Sequence, residues 1–179
     1  WILWLGWFGF NGASQLALGS YGDADAVATI FANTSMAAAG GGLGPMVLSR
    51  VLYGKTDVGA TLNGAIAGLV SITAEPLTPV IGEAIIIGSI GGILCMFSMK
   101  LLDKLKIDDV VGAIPAHLVA GIWGTLIVPF TNDSAAYGIQ IIGILSFGLF
   151  TVIGSTVVWS ILKATVGIRA TEDDEVYGL

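Results

Sequence analysis

Formal charge is missing from long stretches of this chain. Residues 26–49, 84–99, 110–132 and 134–162 each run without an Asp, Glu, Lys or Arg. A helix needs about 20 apolar residues to cross a hydrocarbon core roughly 30 Å thick. Lipid offers no water to pair with backbone groups, so a spanning segment must satisfy its own amides and carbonyls, as a helix does. Composition agrees: 11% of residues are charged and 55% hydrophobic, where a soluble domain averages about 25% charged. The mean hydropathy is +0.88. The fold class is therefore all-α, a polytopic membrane helix bundle.

Six spans are expected: Trp1 to about Ser20, about Ala24 to Leu52, Val58 to Ala74, Gly82 to Leu102, Val110 to Phe130, and Tyr137 to Val166. The second is long enough to tilt. The segments Gly54 to Asp57 and Pro129 to Ser134 read as turns, and Pro76 and Pro79 make the third connection irregular. Every basic residue falls at the exit of an even-numbered span: Arg50 and Lys55, then Lys100, Lys104 and Lys106, then Lys163 and Arg169. The positive-inside rule makes that side cytoplasmic and places both ends there. The division expected is a six-span region at 1–166 and a cytoplasmic C-terminal tail at 167–179. Trp1 lies inside an apolar run, with no basic leader before it, so the chain is expected to be a piece of a longer one. Asp108 and Asp109 are placed to cap the fifth span and complement its dipole.

His117 is the only histidine, and it lies within the fifth span. An ionisable ring at membrane depth is costly and by default marks function; the bland alternative is a core histidine satisfied by its neighbours. Gly121, Gly124 and Thr125 follow at helical spacing, as either a pore lining or a tight helix contact would require. Burial is expected to keep the ring neutral, able both to accept and to donate a hydrogen bond. In the first span, Trp7, Phe10 and Ser14 share a face. An aromatic wall beside a hydroxyl suits a small cation, although an interfacial belt with a packing face fits the same spacing.

The 26 glycines fall largely inside the spans, including Gly40 to Gly42 with Gly44, Gly64 with Gly68, and Gly88, Gly91 and Gly92. Small residues let helices approach closely in lipid, so these are assigned to packing. Asn33, Thr34, Ser35, Asn63 and Thr73 are assigned to hydrogen bonds between helices. A single cysteine, Cys95, permits no internal disulfide and no metal cluster. No GxxxxGK[ST] phosphate loop is present.

The string WLGWFGFNGAS (Trp4 to Ser14) resembles the start of the sixth helix of ammonium transporters, the Amt/Mep/Rh superfamily. DDVVGAIPAHLVAGIWGTL (Asp108 to Leu126) is similar to that family's tenth helix, which carries its second pore histidine. GAIAGLVSIT (Gly64 to Thr73) and VGIRATEDDEVYGL (Val166 to Leu179) resemble its eighth helix and its cytoplasmic tail. The matches keep the family's order across nearly the whole chain.

The resemblance implies the second half, helices six to eleven, of an eleven-helix inverted-repeat channel fold that assembles as a homotrimer with one pore per subunit. It implies transport in which ammonium is recruited outside, passes stacked phenylalanines, and loses its proton before moving between paired histidines. On the matching positions Ser14 is the recruiting hydroxyl, Phe10 a gate ring, Trp7 a pore border and His117 one of the pair, with Thr73 near the pore. The family's earlier helices, with their histidine, second phenylalanine, tryptophan and aspartate, have no counterpart among these residues.

The substrate expected is ammonium or methylammonium, in a bacterial inner (plasma) membrane, with the lipid bilayer as surroundings. A PII-type regulator at the cytoplasmic face is a possible partner; no nucleic acid, cofactor or metal is implied. A non-conducting sensor or PII-binding subunit is the alternative. An enzyme is not expected, because one histidine without a nucleophile, metal cluster or carboxylate pair makes no catalytic constellation.

Overall fold

The computed structural model describes residues 1–178, and every element in them is helical: α1 (Ile2–Ala13), α2 (Tyr21–Tyr53), α3 (Val58–Thr73), α4 (Ile81–Leu105), a π-helical turn (Ile114–Val119) running into α5 (Ala120–Thr131), α6 (Tyr137–Thr165) and α7 (Glu172–Tyr177). Three stretches are long and apolar enough to cross a membrane, namely Ile81–Leu105, Ile114–Thr131 and Tyr137–Thr165; Val58–Thr73 is apolar but shorter. The chain divides into two units, residues 1–140 and residues from 141 onward. That division falls inside α6.

One expected span is corrected. α1 does not continue to Ser20 but stops at Ala13 with Ser14 as its C-cap. The turn beyond it places Leu16 at φ 61°. Leu16, Ala17 and Leu18 keep that segment apolar, but the next helix claims Ser20. Its hydroxyl accepts the Asp23 N–H at 3.1 Å, and the Asp23 carboxylate accepts the Ser20 N–H at 3.1 Å. This reciprocal capping box opens α2 and leaves the preceding residues outside any helix.

The first unit is built on α2, α3 and α4, which meet through small residues. Gly41 faces Gly64 and Gly68, while Gly88 and Gly92 face the backbone at Ala37 and Gly41. The buried residues around this contact are also small: Ala37 and Ala84 with Ile72 and Ile87 in one cluster, and Ala67, Cys95, Ala116 and Ala120 in another. Lipid is as apolar as these side chains, so backbone approach and dispersion hold the helices together, with no water-exclusion drive. Side chains then fix the connections. The Asn33 amide donates to the carbonyls of Pro76 at 3.0 Å and Pro79 at 2.7 Å, tying the proline-containing loop to α2. Trp123 of α5 donates to the Ile87 carbonyl of α4 at 3.0 Å. Glu75 accepts from the Asn132 amide at 2.8 Å, joining the connections that follow α3 and α5.

The second unit carries the rest of α6 and the tail. Gly167 turns the chain at φ 83°. Thr171 then caps α7 by accepting the Asp174 N–H at 3.2 Å. The Arg169 guanidinium donates to both Glu175 carboxylate oxygens, at 2.6 and 2.8 Å. Those bonds hold the Glu175 carboxyl below the usual carboxylate range. A group lowered on folding contributes above its unfolded value, about 4.3, and loses that contribution as pH falls through the folded value. Glu175→Gln is therefore expected to reduce α7 helicity at neutral pH. Parent and variant should converge below roughly pH 4, read from carbon chemical shifts of residues 172–177.

Candidate functional site

His117 owes its position to a helix start that departs from α geometry. The Asp109 carboxylate accepts the N–H groups of Ala113 and Ile114, each at 2.8 Å, and Gly112 turns the chain into the helix at φ 73°. A Cβ on Gly112 would come within 3.2 Å of the Asn63 amide, so glycine suits this turn twice over. Asp109 thus performs the capping expected of the Asp108–Asp109 pair. Pro115 follows immediately, has no N–H to give, and crowds the preceding turn. The chain widens: residues 114–119 are π-helical, and the Ala120 N–H reaches the Pro115 carbonyl. π-turns are rare and concentrate at functional sites.

The ring projects into a groove of about 420 Å³ lined by Trp7, Phe10, Val70, Thr73, Ala74, His117, Gly121 and Thr125. Trp7 and His117 lie nearly parallel, 18° between planes and 6.5 Å between centroids. Phe10 tilts against Trp7 at 5.7 Å. The Trp7 indole donates to the Thr73 hydroxyl at 2.7 Å, fixing α1 to the end of α3. A larger cleft of about 520 Å³ lies among α1, α2 and α3, lined by residues such as Trp1, Trp4, Leu43 and Met46. Its one threonine, Thr61, already donates to the Asp57 carbonyl at 2.7 Å. It lacks the convergent polar groups that orient a small polar molecule, so the smaller groove is the candidate site.

No Asp, Glu, Lys or Arg side chain lines that groove. A bare cation there finds no carboxylate to pair with; the faces of Trp7 and Phe10 attract it weakly, and an unpaired charge in apolar surroundings is penalised heavily. A small neutral hydrogen-bonding molecule fares better. The Thr125 hydroxyl donates to the Gly121 carbonyl at 2.9 Å, leaving oxygen lone pairs to accept. Neither nitrogen of His117 has a hydrogen-bond partner among the described residues, so the ring is free both to donate and to accept.

Of the five residues singled out from sequence, Trp7, Phe10, Thr73 and His117 line this groove and Ser14 does not. The Ser14 hydroxyl donates to the Phe10 carbonyl at 2.9 Å, one turn back on its own helix. His117 also departs from the expected burial: its ring is exposed on the groove wall, because no helix of the first unit covers that side. The face following His117 divides. Gly121 and Thr125 line the groove, while Gly124 packs against the Ser71 backbone, where a Cβ would lie 2.8 Å from the Ser71 Cα. Val70 and Ala74 escaped the sequence reading, being apolar and without a spacing that separates a wall from a core. Asn11, which supports Thr73, is buried and had no signal beyond being polar in an apolar run.

The sequence model of the Ammonium Transporter Family matches residues 1–179. The chain is similar to Ammonium transporter Amt2 of Archaeoglobus fulgidus, at 36% identity over 99% of this chain and 42% of that protein. It is similar to Ammonium transporter of Bacillus subtilis at 34% identity, over 99% of this chain and 47% of the relative. The chain thus spans less than half the length of these relatives. Among solved structures, Sensor Amt Protein superposes with a TM-score of 0.85 at 33% identity, covering 98% of this chain and 45% of that one. Candida albicans Mep2 gives 0.84 at 26% identity, covering 96% and 42%. The Archaeoglobus fulgidus and Bacillus subtilis relatives are named as transporters and not as enzymes. With its helices, its groove and a match along its whole length, this chain belongs to the ammonium transporter family.

Proposed function

We propose that this chain forms the His117-bearing wall of a transmembrane path for ammonium, which sheds a proton and crosses as the neutral molecule. One observation carries the reading: a single imidazole, stacked near Trp7 and Phe10, faces a groove with no charged side chain. Ammonium and potassium are close in size and charge, so a hole cut to ion size separates them poorly. An apolar path rejects both as cations, and ammonium alone can give up a proton and proceed. In this reading His117 relays the neutral molecule, Trp7 and Phe10 form the approach, and Thr73 sits beside it. Ser14 is the recruiting hydroxyl: giving its proton to the Phe10 carbonyl leaves its oxygen lone pairs to accept an ammonium N–H.

The path needs a second wall opposite His117, which a complete subunit would supply, and the unit is a homotrimer in the plasma membrane with its C-terminus cytoplasmic. A PII-type regulator would meet that cytoplasmic face near Lys100 to Lys106. Sensing without conduction is the second reading, favoured by the 33% identity to the structure named Sensor Amt Protein. Uptake of labelled methylammonium by cells lacking their own ammonium uptake and expressing the full-length protein decides between them. Saturable uptake, competed by ammonium and not by potassium, supports conduction; uptake at the level of empty cells overturns it and leaves sensing.

A further inference from the structure

Trp7 is held by more than Thr73. The Thr73 oxygen accepts the Trp7 indole N–H at 2.7 Å and lies 2.7 Å from the Leu69 carbonyl and 3.2 Å from the Asn11 Oδ1. Beyond it, the Asn11 Nδ2 donates to the Thr34 hydroxyl of α2 at 3.0 Å. Asn11 is 1% exposed and Thr34 0%. Three helices are thereby joined by one continuous line of hydrogen bonds, and Thr34, its far end, does not border the groove.

We infer that Thr34 is a positioning residue for the groove, acting through Asn11 and Thr73 to set the Trp7 indole against His117. The Thr73 hydroxyl has one proton and two acceptors within reach, Leu69 and Asn11, so its allocation depends on what the Asn11 amide presents. The amide in turn is held by Thr34. Reversing the amide, so that Thr34 donates to Oδ1 and Nδ2 donates to Thr73, joins the same four side chains. Only a hydroxyl at position 34 can answer either arrangement, since it both donates and accepts. An apolar side chain there leaves one amide atom unpaired in a dry interior, and the amide must rotate to find water or backbone. Thr73 then redistributes its proton, and the hydrogen bond that orients Trp7 changes with it.

The inference rests on the transport reading for its uptake arm alone. Thr34→Val in the full-length protein, with indole nitrogens isotopically labelled and the Trp7 signal assigned from Trp7→Phe, is the test. The expected result is a displaced Trp7 indole N–H resonance with the other tryptophan signals in place. Methylammonium uptake should be roughly threefold to tenfold lower, and Thr34→Ser should retain both parental values. In the Trp7→Phe background, Thr34→Val should cost no further uptake, because the side chain it orients is gone. An unmoved Trp7 signal, or a Thr34→Val loss that persists undiminished in the Trp7→Phe background, overturns the inference. Thr34→Ala removes the same oxygen with less bulk and gives the same readout if the valine variant does not fold. A protein that takes up no methylammonium yet shows the Trp7 shift would refute transport and support the positioning role.

Discussion

Replacement of His117 by alanine in the full-length protein is expected to lower saturable methylammonium uptake on the order of a hundredfold, the scale at which a positioned proton-transfer group contributes. The groove contains no other titratable side chain. The Thr125 hydroxyl gives its proton to the Gly121 carbonyl at 2.9 Å, and the Thr73 hydroxyl has the Leu69 carbonyl and the Asn11 Oδ1 as its acceptors, at 2.7 and 3.2 Å. Alanine would therefore remove the only group able both to accept from and donate to a passing molecule, and would widen the path. A second outcome consistent with the role is residual flux that no longer discriminates against potassium. Leu118→Ala, next in sequence and exposed, should transport as the parent does. Parental rate and selectivity in His117→Ala would remove His117 from the mechanism.

The second large effect concerns assembly. Gly88→Val is expected to leave no folded, monodisperse protein, because a Cβ at this position would overlap the Ala37 carbonyl oxygen and sit 2.6 Å from its carbon. The obstacle is backbone, so no side-chain rotation relieves it. The helices must part, losing the contacts that hold α2 to α4. Overpacking of a core by side chains typically costs about 1–3 kcal/mol; a clash with main chain in a tightly packed seam exceeds what a marginally stable protein can tolerate. A Cβ added at Gly82 would meet nothing within 4 Å, and Gly82→Ala should fold as the parent. Size-exclusion profiles of the two variants in detergent make the comparison, and a monodisperse Gly88→Val would show that the seam yields.

The sequence made most helix limits readable, for identifiable reasons. α2, α3 and α6 were bounded by capping and turn residues, such as Asp57, whose carboxylate accepts the Ala60 N–H at 3.0 Å, and Gly54 at φ 72°. α1 reads too long from sequence because Leu16 to Leu18 look like continued span, while the Ser20–Asp23 box that ends the apolar run belongs to the next helix. The π-turn has no signature in a pattern built on 3.6 residues per turn; Pro115 was the sole hint. Trp7, Phe10 and His117 drew notice because aromatic and ionisable groups in a span are uncommon. Thr34 drew only a general assignment to interhelical bonding. Its partner is chosen by where three helices cross, and no one-dimensional spacing encodes that.

The glycine seam of α2, α3 and α4 has a mechanical consequence. Carbonyls such as those of Ala37 and Gly41 sit where a neighbouring helix offers no Cβ, and axial slip would carry them off the glycines they rest on. Sliding of packed helices is one of the two common ways that domains move, and interlocked backbones deny it to this trio. A change in the groove would therefore have to come from outside the trio, and of its two aromatic rings Trp7 is tied to Thr73 while Phe10 is exposed. The three-helix block is the rigid frame against which the groove is built.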